Sequence, residues 1–271
     1  MKLKPKFKTE NVSLYNADCL NLMDGLLNEY PDGMFDMIFA DPPYFLSNDG
    51  ISCHSGKMVS VNKGSWDKSL GVDSNHKFNL EWIGKCKKLL KPNGTLWVSG
   101  THHVIFSVGF AMQYLGMKIL NNITWEKPNP PPNLSCRYFT HSTETIIWAS
   151  KSNKSKHVFN YQLMREHNFG KQMKTVWNIK SPGKNEKNFG KHPTQKPIEL
   201  IDRIILASTN ENDWVFDPFA GSSTTGVSAL RNGRNFVGCE KEKEYFDLSS
   251  KRLSQETIYH PQTEKQLSMA L

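Results

Sequence analysis

Asp213-Trp-Val-Phe-Asp217-Pro-Phe-Ala-Gly-Ser-Ser-Thr-Thr-Gly226 is the stretch on which the fold turns. Residues 213–217 read as a buried strand that ends in an acid. Pro218 stops the ladder, because it has no N–H to donate. Gly221 permits a tight turn and a close ligand approach, and the Ser/Thr run opens a helix to Leu230. N–H groups and the hydroxyls of Ser222, Thr224 and Thr225 at a helix N-terminus suit an anionic group. The loop lacks a P-loop's Gly-Lys-Ser/Thr ending and the GxGxxG of dinucleotide sites. Read alone, it also suits a packing turn.

Asn235 to Glu240 is the next strand and again ends in an acid, where such folds hold ribose hydroxyls. The loop and Glu240 together fit a nucleoside with a compact charged tail. The same alternation runs upstream. Val12 to Asp18 is a strand, Cys19 to Leu27 a helix, and Met34 to Ala40 a strand that runs into Asp41-Pro42-Pro43-Tyr44. Phe78 to Leu90 and Val104 to Leu115 are helices. Thr95 to Ser99, Met117 to Trp125 and Glu144 to Ala149 are strands. Pro197 to Ala207 and Tyr245 to Leu253 are helices. Strands alternating with helices predict an α/β fold with a mostly parallel sheet, whose ligands bind at the strands' carboxyl ends. Asp18, Asp41, Asp217 and Glu240 should therefore converge on one crevice.

Asp41-Pro42-Pro43-Tyr44 is a rigid elbow. It presents a carboxylate, a backbone carbonyl and a flat ring to one small volume. Residues 45–78 lack a clear period and read as a long binding loop carrying Lys57, Lys63, Trp66 and Lys68.

The 271 residues are 38% hydrophobic and 22% charged, enough to bury a real core. No apolar run approaches a membrane span and no secretory signal follows the basic start, so a soluble, cytoplasmic protein is expected. The five cysteines form no CxxC pair, and no His cluster suggests a metal, so neither a disulfide framework nor a metal site is expected. The net charge is +8, and residues 151–190 hold nine of the 34 basic residues but two of the 26 acidic ones. A concentrated basic segment suits a polyanion. The expected organisation is 1–150 as the half carrying the elbow and 151–190 as the basic segment. Residues 191–255 form the half carrying the Gly/Ser/Thr loop, and 256–271 a polar tail.

Taken together, Asp41-Pro-Pro-Tyr44, Asp217-Pro-Phe-Ala-Gly-Ser-Ser-Thr-Thr-Gly226 and His192-Pro-Thr-Gln-Lys-Pro197 resemble the catalytic and S-adenosyl-L-methionine (AdoMet) motifs of DNA amino-methyltransferases. Their order resembles the circularly permuted beta class, with target recognition between the two halves. Asn133-Leu-Ser-Cys-Arg-Tyr-Phe-Thr-His-Ser-Thr-Glu-Thr145 and Phe45-Leu-Ser-Asn48 are similar to the second adenine methyltransferase of DpnII-type restriction systems, which modifies GATC and accepts single-stranded DNA. Ser223 departs from the family, which more often has glycine there.

The resemblance implies a Rossmann-like AdoMet-dependent methyltransferase fold, with a permuted seven-stranded sheet. It implies that Asp217, Phe219, Gly221 and Ser222 shape the AdoMet pocket, that Thr224, Thr225 and Lys196 hold the carboxylate end, that Glu240 holds the ribose and that Asp18 lies near the adenine. Asp41 and the Pro42 carbonyl would hold the target amine on the stiff Pro42-Pro43 turn. Tyr44 would stack on a flipped base, with Tyr138 or Phe139 on its other side. Lys156, Lys171 and Lys174 would contact phosphates, and Arg165 or Arg137 would read guanine. DNA is the implied partner, with a cognate restriction endonuclease and a homodimer beyond it. Two other readings stay open on the sequence: a cytosine-N4 enzyme and an inactive DNA-binding protein.

Overall fold

In a computed structural model, residues 3–46, 51–54, 57–60, 64 and 67–258 are described. The chain begins with β1 (Phe7–Lys8), β2 (Val12–Asn16), α1 (Cys19–Glu29) and β3 (Phe35–Ala40). A hairpin of β4 (Ile51–His54) and β5 (Lys57–Ser60) precedes α2 (Val72–Leu89), β6 (Leu90–Gly100), α3 (Ile105–Tyr114), β7 (Lys118–Glu126) and β8 (Thr143–Ser150). Then come α4 (Tyr161–Glu166), β9 (Val176–Asn178), α5 (Ile198–Ser208), β10 (Trp214–Asp217), α6 (Thr224–Arg231), β11 (Asn235–Glu240) and α7 (Lys243–Ile258).

One sheet organises these elements, in the order β1-β2-β11-β10-β3-β6-β8-β7-β9. The strands from β2 to β7 are the seven the sequence implies. Two short edge strands, β1 and β9, extend them to nine. Pairing is parallel from β2 through β11, β10 and β3 to β6, and β8 runs antiparallel to both β6 and β7.

Period-2 alternation divides the core. Ile38, Ala40, Leu96 and Val98 face α1, α2 and α3, whereas Met37, Phe39 and Trp97 face α5, α6 and α7. On the second face Trp97 stacks on Trp148 with centroids 4.7 Å apart, and its indole N–H donates to Ser208. Chain connections leave β3 and β10 in opposite directions across the sheet. The gap between their carboxyl ends is the switch point at which such sheets bind ligands.

One expectation needs correction. The stretch 45–78 is not one long loop, because it holds the β4–β5 hairpin and the first turns of α2. That helix begins at Val72 rather than Phe78. Its first turns project into solvent, with Val72 84% exposed, so they carry no apolar period to read. Lys63, Trp66 and residues 259–271 lie outside the described residues, as does the Lys57 side chain. The basic segment 151–190 contributes β9, paired in parallel with β7 at the sheet edge. Among the described residues no helix is long and apolar enough to cross a membrane.

Candidate active site

At the carboxyl end of β3 the chain leaves the sheet through Asp41-Pro42-Pro43-Tyr44. The elbow is fastened from behind by Asp67, which is buried. Its carboxylate accepts the backbone N–H groups of Tyr44 and Phe45, both at 2.8 Å, and of Leu46 at 3.2 Å. Three N–H groups on one carboxylate fix the backbone just past the elbow.

Ahead of the elbow lies a buried polar network. Asp41 Oδ1 accepts from Ser99 Oγ at 2.6 Å and from the Tyr44 hydroxyl at 2.7 Å, and Asp41 Oδ2 accepts from Lys196 Nζ at 2.6 Å. Glu144 Oε2 lies 3.2 Å from the Tyr44 hydroxyl and 3.5 Å from Lys196, and Lys127 pairs with the other Glu144 oxygen. Burial by itself would raise the Glu144 carboxyl. The Lys196 and Lys127 ammoniums outweigh it and hold the group down at about 2. Burial and the charges of Asp41 and Glu144 push the Tyr44 phenol well above its ordinary value, so the hydroxyl stays a donor. Among the described residues, none donates to the Pro42 carbonyl.

Across the switch point the loop after β10 completes the site. Asp217 accepts from the Phe219 N–H at 2.9 Å and from the Thr225 hydroxyl at 2.6 Å. Glu240 accepts from the N–H groups of Gly221 and Glu242. Burial raises both carboxyls to about 7. The Phe219 ring is set edge-on against Trp82. Arg252 reaches in from α7 and donates to the Ser222 carbonyl and hydroxyl and to the Thr224 hydroxyl. Ser223 is fully buried at φ 53°, a left-handed conformation that favours glycine, and its hydroxyl has no partner among the described residues.

One cavity of about 490 Å³ joins the two halves. It is lined by Asp18, Asp41, Pro42, Pro43, Tyr44, Lys196, Asp217, Phe219, Gly221, Ser222, Thr224, Thr225 and Glu240, among others. The structure thus gathers every elbow and loop residue singled out in the sequence. Several of these side chains also bond within the chain. Lys196 turns to Asp41, the Thr225 hydroxyl serves Asp217, and Thr224 receives Arg252. Asp18 caps α1 through the Leu20 N–H and pairs with Lys241.

The expected DNA-contacting residues divide. Arg137, Tyr138 and Phe139 lie on the β7–β8 turn, at the cavity's end of the sheet. Tyr138 is 60% and Phe139 96% exposed, so neither is core. Lys171 and Lys174 are exposed near the β9 edge. Two others bond within the chain. The Lys156 backbone N–H donates to the Asn93 side chain near the start of β6. Arg165 gives two guanidinium N–H groups to the Gly170 carbonyl, closing its own loop.

Asp67, Ser99, Lys127, Glu144 and Arg252 were not picked out from the sequence. Each is isolated in its own segment, with no motif spacing to mark it. Only the place of Glu144 on a strand that continues into the apolar run Ile146 to Ala149 hints at a paired charge.

The comparisons agree with this geometry. The N6/N4 DNA methylase family matches residues 35–251. The Type II methyltransferase M2.LlaDCHI of Lactococcus lactis subsp. cremoris is 56% identical over 257 residues, covering 94% of each chain. M2.DpnII of Streptococcus pneumoniae is 56% identical over 254 residues, 93% of each chain. M2.MboI of Moraxella bovis is 51% identical over 93% of this chain and 92% of its own. Among solved structures, the M1.HpyAVI-SAM complex superposes with a TM-score of 0.69 at 32% identity, covering 89% of this chain and 98% of that one. The cytosine-N4-specific PvuII DNA methyltransferase shares the fold, with a TM-score of 0.73 at 21% identity over 94% of this chain and 93% of its own. The chain belongs to the N6/N4 DNA methylase family and is a site-specific, AdoMet-dependent DNA methyltransferase.

Proposed function

We propose that the protein methylates the exocyclic N6 amine of adenine within GATC. It would act in the cytoplasm as the modifying partner of a cognate restriction endonuclease. The observation that carries this reading is the elbow itself: Asp41, Pro42 and Tyr44 line one cavity, and among the described residues none donates to the Pro42 carbonyl. The choice of adenine and of GATC rests on the 56% identity to M2.DpnII and on the resemblance carried by residues 133–145.

The cavity suits AdoMet. Two buried acids, Asp217 and Glu240, provide acceptors for a cationic and hydroxyl-bearing ligand. Asp217, Phe219, Gly221, Ser222, Thr224, Thr225, Glu240 and Asp18 would hold it. AdoMet supplies a methyl group on a sulfonium leaving group. Everything else falls to the chain. An adenine amine is a poor nucleophile because its lone pair is delocalised into the ring. Asp41 Oδ2 and the Pro42 carbonyl each accept one N–H of that amine, favouring tetrahedral nitrogen and aiming its lone pair. Positioning and fixed dipoles then lower the barrier.

A carboxylate offers about four acceptor positions, and three on Asp41 are filled from within. The fourth is available to the amine. The Tyr44 ring, locked by its hydroxyl, is the wall on which the flipped base stacks. Extrusion costs a few kcal/mol and stacking on a ring returns about 1–3 kcal/mol. The exposed turn carrying Arg137, Tyr138 and Phe139 meets the DNA beside the flipped base.

Labelled-methyl transfer to GATC oligonucleotides, duplex and single-stranded, followed by nucleoside analysis, tests the reading. N6-methyladenine at GATC with protection from a GATC-cutting endonuclease is the expected result. N4-methylcytosine would overturn the choice of base, and an absence of label at saturating AdoMet would overturn the activity.

A further inference from the structure

We infer that Lys196 is a positioning residue of the transfer step: buried behind Asp41, its ammonium holds that carboxylate in place, and Glu144 with Lys127 holds the ammonium. The inference rests on Asp41 being the acceptor of the target amine.

Lys196 sits in the segment between Gly190 and α5, and Pro197 is the N-cap of that helix. The segment is anchored by Glu186, whose backbone carbonyl accepts from the Gln195 amide and whose carboxylate accepts from the Ile198 N–H at 2.9 Å. The side chain is therefore fixed at its base. At its tip the ammonium has three oxygens within reach: Asp41 Oδ2 at 2.6 Å, the Tyr44 hydroxyl at 3.3 Å and Glu144 Oε2 at 3.5 Å. Three donors suit three acceptors, and the lysine is 6% exposed.

The charges around Asp41 explain why a cation is needed. The elbow brings the Tyr44 phenol, β8 brings Glu144, β10 brings Asp217, and β6 brings only the neutral Ser99. Lys127 faces Glu144 from its far side. Without Lys196, Asp41 would share a buried volume with two other carboxyls and no adjacent cation. Like charges in low dielectric repel one another, and the Lys196 ammonium is the adjacent cation that offsets them and fixes the carboxylate. Burial would lower the ammonium itself, but Asp41 and Glu144 more than reverse this, so it stays charged.

Lys196 also fixes geometry. It occupies one acceptor position on Asp41 Oδ2, while Ser99 and Tyr44 occupy Oδ1. The open position on Oδ2 is thereby given a single direction. The competing role, anchoring the AdoMet carboxylate, would require the ammonium to leave both acids.

Transfer kinetics and equilibrium dialysis of AdoMet on the full chain test this. Lys196→Met should lower kcat about 100-fold at neutral pH while the AdoMet Kd stays within about threefold. Lys196→Arg should restore at least about a tenth of the parent rate. Glu144→Gln removes one of the charges that hold the ammonium and should lower kcat, by less than Lys196→Met, with the AdoMet Kd unchanged. This second variant keeps the shape of the network and carries the test if Lys196→Met does not fold. An AdoMet Kd weakened more than about tenfold with kcat near the parent value would overturn the inference, as would full kcat in Glu144→Gln. Asp41→Ala run in parallel separates the two readings: if it remains active, the acceptor role of Asp41 fails; if it is inactive while Lys196→Met keeps full kcat, only the positioning role fails.

Discussion

The imidazole of His192 fills the space beside Gly221: a β-carbon built on that glycine would lie 3.1 Å from two ring atoms. The conformation at Gly221, φ 55°, also disfavours any side chain. The His192-Pro-Thr-Gln-Lys-Pro197 segment and the cofactor loop are thus fitted to one another. Gly221→Ala should weaken AdoMet binding by about tenfold or more, through strain of roughly 1–2 kcal/mol and displacement of His192. Isothermal titration with AdoMet checks it, and an unchanged Kd would show that the loop tolerates the displacement.

Asp67→Ala strips the acceptor from three backbone N–H groups behind the elbow. Leaving these groups unsatisfied should cost about 3 kcal/mol of stability. The rate should fall further than stability alone explains, because Tyr44 loses its mooring. Chemical denaturation and single-turnover transfer report the two effects separately. Asp67→Asn retains one acceptor oxygen and should lie between the parent and the alanine variant.

Asp41→Ala should reduce transfer by about a thousandfold, the upper range for losing one preorganised polar partner. The cofactor loop does not depend on Asp41, so AdoMet should still bind. Dialysis with labelled AdoMet, followed by transfer assay on the same preparation, decides it.

Burial raises Asp217 and Glu240 to about 7, above their values near 4 in the unfolded chain. The folded chain keeps protons that the unfolded chain releases between about pH 4 and 7. The pair's contribution to stability is therefore full at low pH, falls as pH rises through that window and is flat above it. A cationic ligand favours the ionised acids. AdoMet affinity should strengthen from pH 6 to pH 8, by about tenfold if one proton is released on binding. The AdoMet-induced rise in Tm should likewise be larger at pH 8. Titrations in buffers of different ionisation heat count the protons directly.

Ser223→Gly should stabilise the protein by about 1 kcal/mol. It relieves a left-handed residue and removes a buried hydroxyl with no described partner, against the greater unfolded-state freedom of glycine. Thermal unfolding in the presence and absence of AdoMet measures this. A fall in Tm would mean that the hydroxyl has a bonding role.

The seven main strands, the flanking helices and the cavity-lining motifs were legible because each rests on local signals: apolar alternation, strand-end acids, Pro and Gly. The start of α2 was not, since an exposed turn carries no hydrophobic period. β9 was missed for a related reason. It has three residues, and only Trp177 among them is buried. Around Asp41, the sequence marks the carboxylate but not its partners. Ser99 and Glu144 lie 58 and 103 positions further on and meet it only because their strands neighbour one another. For Lys196, the motif identifies a residue near a ligand but not the Asp41 carboxylate that its side chain meets. Lys156 and Arg165 are grouped by charge along the chain, which does not show that the Lys156 N–H bonds Asn93 and the Arg165 guanidinium the Gly170 carbonyl.

The reversed direction of β8 has a consequence for what surrounds the cavity. In a sheet of parallel strands, the connection preceding a strand normally emerges at the end away from the ligand site. Here the turn between β7 and β8 emerges beside it, closed at its base by the Lys127–Ser142 backbone hydrogen bond. Changes of length or sequence between those closure points reshape the rim of the cavity and leave the sheet register untouched, so the rim and the elbow are adjacent in space but separately mutable.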